Sequence, residues 1–243
     1  MKAKRRHKRG YPVAILIGLE ENMGALWKVF SNVIKHEKTI ELNAVRKDPK
    51  ALYNFHEAIV NALRPTLKEG VKSMVLISPA RSDNTKDFLN HVQTHHAWLT
   101  QGPNKAAFKE ITGSADTLPK VTALARNSAF QEIIKETAAE ETENLIELLE
   151  KRLNNINQDT PVLYSLKEIE DSVFSAWKPG KPKPEHLLLT DVYLANSRGK
   201  NRLHRLMQIA ANKNIKTRIV EAESAAGKRL AQLGGIVLLT KTE

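Results

Sequence analysis

The chain has 243 residues, with 38 Lys and Arg against 27 Asp and Glu, a formal net charge of +11 and no cysteine. That length suits one large domain or two ordinary ones, and an apolar fraction of 41% with 27% charged residues is that of a soluble globular chain. Disulfides and thiolate metal sites are excluded. No apolar run approaches the roughly 18 residues of a membrane span, and no apolar h-region follows the basic start, so a cytoplasmic, reducing location is expected.

Residues 1–10, MKAKRRHKRG, hold Lys2, Lys4, Arg5, Arg6, Lys8 and Arg9 and no acid, which leaves +5 on the other 233 residues. A basic tail on a mildly basic body is the footprint of a polyanion partner, most often nucleic acid. Lys and Arg that neutralise phosphates release counterions without needing a folded site. A solvated extension or a sorting signal would share this composition.

Next, YPVAILIGL reads as a buried strand, Asn22 and Gly24 as a turn, and ALWKVFSNVI with KTIELN as further strands of a meander. Leu52, Phe55, Ile59, Ala62 and Leu63 fall at helical spacing and predict a helix over 50–68. SMVLIS is a short strand stopped by Pro79, and Ser82 or Asn84 should cap a helix running to about Leu99. The turn-rich stretch 100–120 predicts one short strand between loops. A long helix follows from about Ala129 to Leu153, with Ile133, Ile134, Leu145, Leu148 and Leu149 as its buried stripe and seven glutamates as its solvated face.

A domain boundary is expected near 154–160. Beyond it helix and strand alternate: SLKEIEDSVFSAW, HLLLTDVYL, NRLHRLMQIAANK, KTRIVEA, SAAGKRLAQLG and GIVLLTK. The predicted fold class is α/β in two domains, a central mixed-sheet domain over 11–155 and a C-terminal α/β sandwich over 156–243. KPGKPKP, residues 178–184, reads as an extended loop.

Two segments resemble Pelota and the archaeal-eukaryotic class-one release factors. One is RKDPKALYNFHEAIVNALRPTLKEGVKSMVLISP with ARSDNTKDFLNHV behind it. The other is the C-terminal stretch ending in Gln232, Leu233, Gly235 and Ile236, similar to a Gln-Leu-x-Gly-Ile-Ala ending. The resemblance implies a ribosome-binding, release-factor-like protein, cytoplasmic and monomeric, that keeps the central and C-terminal domains without the decoding module. It further implies contact with rRNA or tRNA near the A site and docking of a translational GTPase and a recycling ATPase.

The chemistry of release is missing from the expected place. Release factors orient water with a Gly-Gly-Gln loop before the first central helix, and a Vms-type relative also uses a glutamine there. Glycine allows close backbone approach to RNA and glutamine orients the nucleophile. This chain has NAVRKDPK instead. No catalytic residue and no cofactor are assigned, and the protein is expected not to be an enzyme. The rivals are a Vms-like hydrolase with its residue elsewhere, for which Gln101 beside Gly102 is poorly positioned, and a general tRNA- or rRNA-binding module.

In that loop Arg46, Lys47 and Lys50 suit phosphate contacts, which position a protein without reading sequence. Lys105, Lys109 and Lys120 lie around Gly113 and Ser114, where the resemblance suggests a second RNA-contacting loop. Arg198, Arg202 and Arg205 share one helical face opposite Leu203, Leu206, Met207 and Ala210, a stripe for RNA or an acidic partner surface. His91 and His95 stand one turn apart, a spacing that can hold zinc. Without Cys or an HExxH carboxylate they read as helix-surface histidines, and no metal site is assigned. SAAGKRL lacks the first glycine and the Ser or Thr of a phosphate loop.

Overall fold

The computed structural model describes residues 11–31, 33–43, 45–46, 48–102, 105–154, 160–175, 182–197 and 200–241. The chain divides into two compact units, one containing the described residues up to Leu63 with Lys72–Ala138, the other Arg64–Val71 with the residues from Ala139 onward. The linker expected at 154–160 lies largely outside the described residues. Among the described residues no helix is long and apolar enough to cross a membrane.

The first unit is built on five strands: β1 (Pro12–Leu19), β2 (Met23–Phe30), β3 (Ile34–Glu41), β4 (Ser73–Ser78) and β5 (Ala107–Thr112), in the order β3-β2-β1-β4-β5. β1 pairs antiparallel with β2 and parallel with β4, and β4 pairs parallel with β5. Parallel strands covered on both faces read as unbroken apolar runs, and Ala14, Leu16, Ile17, Val75 and Leu76 are fully buried. β3 is mostly polar, with only Ile34 and Ile40 apolar, and forms an edge, where lysines discourage pairing with other chains. Gly24 lies inside β2 rather than in a turn; a Cβ there would come within 3.0 Å of Ile59 Cδ1.

Helix α1 (Pro49–Lys68) starts with proline at its first position, and Asp48 Oδ1 accepts hydrogen bonds from the Lys50 and Ala51 amides at 2.9 and 3.4 Å. Phe55, Ile59, Val60 and Leu63 form its buried face. Helix α2 covers Asn84–His95 and gives way to one 3-10 turn at Ala97–Leu99, earlier than the expected end at Leu99. His96 breaks it with φ −132° and hydrogen-bonds Glu57 at 2.6 Å. Neither expected cap operates. Ser82 Oγ donates to the Pro79 carbonyl, and Asn84 Nδ2 donates to the Leu19 carbonyl. Helix α3 (Leu118–Ala125), which the turn-rich composition hid, buries only Val121. Helix α4 runs Ser128–Leu153, matching the expected long helix.

The second unit holds β6 (Val162–Leu163), α5 (Leu166–Phe174), β7 (Lys183–Thr190), α6 (Asp191–Asn196), α7 (Lys200–Asn212), β8 (Lys216–Val220), α8 (Ala225–Gln232) and β9 (Ile236–Lys241). Its sheet order is β6-β9-β7-β8, with β7 and β8 parallel. DVYL is helical rather than part of the preceding strand, because Thr190 caps it by accepting from the Tyr193 amide. Lys183 and Pro184 already belong to β7, while 178–181 of the expected loop lie outside the described residues. Gly234 and Gly235, at φ 93° and 83°, stop α8 as expected. Gly227 has no room for a side chain: a Cβ there would lie 2.0 Å from the Glu221 carbonyl oxygen.

One glutamate of α4 belongs to this core. Glu141 is 1% exposed and Arg218 of β8 is 3% exposed, and they pair at 2.6 Å. Glu185 of β7 is a second acid point. Hydrogen bonding with His186, then with Arg152 at 2.6 Å, and the charge of Lys216 hold its carboxyl well below the usual range against the pull of burial. A depressed carboxylate stabilises the fold above its unfolded pKa, and that contribution is lost as pH falls through the acid range. The stability difference between the parent and Glu185→Gln should therefore shrink as urea midpoints are taken from pH 6 down to pH 3. A constant difference would show that Glu185 gains nothing from its charge.

Candidate nucleic-acid interface

The carboxyl ends of β1, β4 and β5 point the same way, and ligands of open α/β sheets bind outside such ends. Leu19, Ser78 and Thr112 close these strands. Three connections meet there: the β1–β2 turn, the loop into α1 and the segment from Gly113 to α3. Arg46 ties the first two together, its Nη1 donating to the Glu20 and Glu21 carbonyls at 3.0 and 3.1 Å. Its Nε and Nη2 are buried without a hydrogen-bond partner. Burial lowers its pKa, against the attraction of Asp87 and Glu21.

Glu20 ties in the third connection. Its Oε1 accepts from Ser114 Oγ at 2.5 Å and from the Ala115 amide at 3.3 Å. Trp27 Nε1 donates to the Ala115 carbonyl at 2.7 Å, and Gly18 packs so closely that a Cβ would meet Ala115 Cβ at 2.8 Å. Lys120 Nζ pairs with Asp116 at 2.7 Å and donates to Ser114 Oγ at 3.2 Å. The Lys120–Asp116 bond lowers the pKa of the Asp116 carboxyl and raises that of the Lys120 amine.

The cations singled out by sequence are thus distributed unequally. Lys50 is exposed at the start of α1, while Arg46 is half-buried and faces backbone carbonyls; both stand at the strand carboxyl ends with Lys120. Lys105 precedes β5, at the opposite end of the sheet, and Lys109 lies mid-strand opposite Val75, so those two do not join Lys120. In the second unit Arg205 is exposed, and Arg202 forms a two-pronged pair with Glu170 of α5, its Nε donating at 2.6 Å. Leu203, Leu206 and Ala210 are fully buried behind that face. Lys2, Lys4, Arg5, Arg6, Lys8, Arg9, Lys47 and Arg198 lie outside the described residues. The sequence reading missed Glu20 and two long-range bonds, Ser114 to Glu20 and Asn84 to the Leu19 carbonyl, which span 94 and 65 residues of the chain.

No family model matches the chain. A Pelota homologue of Pyrococcus horikoshii is 33% identical over 93 residues, 38% of this chain and 24% of its own. One from Pyrococcus abyssi is 30% identical over 96 residues, covering 40% and 25%. Among solved structures, Dom34 of S. cerevisiae aligns over 97% of this chain and 64% of its own at 20% identity, TM-score 0.51. Ribosome-bound archaeal Pelota, solved with ABCE1, aligns over 99% and 63% at 17% identity, TM-score 0.52. The chain is similar to Pelota.

Its likeness to Pelota extends over both units, because the structural alignments run almost its full length. The chain spans less than two thirds of those solved relatives and about a quarter of the curated homologues. The connection from β3 into α1 offers Val45, 72% exposed, with Arg46, Asp48 and Pro49, and holds neither glycine nor glutamine.

Proposed function

We propose that this protein binds the ribosome in the A-site region and acts in rescue, recycling or hibernation without hydrolysing peptidyl-tRNA. The observation that carries the reading is the coincidence of a Pelota-like chain with a loop into α1 that holds no glutamine and no glycine. The exposed Lys50, the Lys120 corner and the basic residues 1–10 supply phosphate contacts, which fix register without reading bases. Lys47, Lys105 and Lys109 extend the same role. Dom34 is described as interacting with Hbs1, and archaeal Pelota was solved with ABCE1. By extension the second unit, through Arg198, Arg202 and Arg205, meets a translational GTPase and a recycling ATPase. A cytoplasmic monomer suits this role.

The test is co-sedimentation with purified ribosomes combined with release of labelled peptide from stalled complexes. Binding to intact ribosomes in preference to naked rRNA, with no peptide released above background, is the expected result. Equal affinity for any RNA would leave a general RNA-binding module. Stoichiometric peptide release would make the protein a hydrolase of the Vms kind.

A further inference from the structure

Outside the strand-end corner, the first unit contains a dense group of imidazoles. Glu57 of α1, His91 of α2 and His96 just beyond α2 converge so that one donor atom from each lies within 4.8 Å of the others. Glu57 Oε1 is 2.6 Å from His96 Nε2 and 3.3 Å from His91 Nε2. The two imidazole side chains are only 6% and 8% exposed, which corrects the expectation of helix-surface histidines; His95 alone of the three is exposed. The rings of His56 and His95 stand 5.1 and 5.0 Å from that of His91.

An internal hydrogen bond accounts for only part of this. His96 and Glu57 satisfy each other at 2.6 Å. His91 Nε2 is buried, within ion-pair distance of the same oxygen, yet its alignment gives no hydrogen bond and it has no other partner. A buried nitrogen left so has lost its water without gaining a full hydrogen bond, and a ligand held by all three groups removes that penalty.

We propose that Glu57, His91 and His96 form a binding site for a divalent transition ion of the zinc class, clipping α1 to α2. Two imidazoles and one carboxylate are a recurrent zinc donor set with one position left for water. Zinc bond lengths of about 2.0–2.2 Å separate neighbouring tetrahedral ligands by roughly 3.4 Å. The 3.3 Å edge to His91 already has that length, and the 2.6 Å edge to His96 opens by under about 1 Å. Ligating histidines must be neutral and the carboxylate ionised.

The test uses the full chain, stripped with a chelator and titrated with zinc against a chromophoric competitor, and with cobalt to read coordination. One equivalent should bind, with the visible band of four-coordinate cobalt. Glu57→Gln and His96→Gln should each weaken zinc by more than about 100-fold, since loss of outer-shell partners alone costs 10–100-fold, while His95→Ala leaves affinity unchanged. Nitrogen-15 spectra of the unsubstituted protein give a readout that does not depend on how the variants fold: zinc should move the His91 and His96 Nε2 signals first. Absence of binding below millimolar zinc, binding that survives both glutamine variants, or shifts confined to other histidines would each overturn the site.

Discussion

Glu141→Ala should destabilise the protein by about 3–5 kcal/mol, the cost of stranding one partner of a buried ion pair. The pair is closed on both sides, with side chains 2% and 3% exposed at 2.6 Å separation. Removing Glu141 leaves the Arg218 guanidinium in the core without its carboxylate partner at 2.6 Å, and water cannot replace a carboxylate there without opening the packing of α4 on β8. At 2–4 °C per kcal/mol for a chain of this size, Tm should drop by roughly 6–20 °C. Glu141→Gln keeps an acceptor and should cost less. The double variant Glu141→Leu with Arg218→Met should recover most of the loss, because both desolvation penalties vanish together. A single alanine variant within about 0.5 kcal/mol of the parent would show that the pair is solvated in solution.

That pair also marks where sequence reading stops. The seven glutamates of α4 read as one solvated face because they are charged, although Glu141 stands seven residues after Ile134 and four before Leu145, at the spacing of the buried stripe. What periodicity does not supply is the pairing partner on β8, 77 residues away, that compensates a carboxylate on that side. The strong periodicities survived contact with the structure: the apolar run of β1, the stripe of α1, the length of α4 and the alternation of the second unit are all present. What failed was local. Helix α3 has one buried residue, too few to make a stripe, and the end of α2 depends on a bond from His96 to Glu57 that no local rule foresees.

The candidate interface was legible as charge and illegible as geometry. Lys50 and Lys120 emerge on one edge because the loop into α1 and the segment after β5 both follow from the parallel order β1-β4-β5. Arg46 and Lys50 look equivalent as letters, yet Arg46 spends its Nη1 on two carbonyls while Lys50 stays exposed. Composition alone cannot separate a cation that braces a turn from one that faces solvent.

Salt dependence can separate them. Each neutralised phosphate contributes about 0.7–0.9 to the slope of log affinity against log salt. Removing residues 1–10 deletes six cations, so full engagement of the tail predicts a slope shallower by about 4–5. Between 50 and 200 mM salt the full chain should then lose roughly 300- to 2,000-fold more ribosome affinity than the truncated one. Lys50→Ala should lower the slope by about 1. Arg46→Ala should leave the slope unchanged and instead lower the unfolding midpoint, because its guanidinium ties the β1–β2 turn to the loop before α1. A slope that moves by less than 1 on tail removal would mean that the six cations do not meet RNA, and binding would then rest on the folded corner alone. A slope change for Arg46→Ala equal to that of Lys50→Ala would mean the loop rearranges on the ribosome, trading two carbonyl bonds for a phosphate.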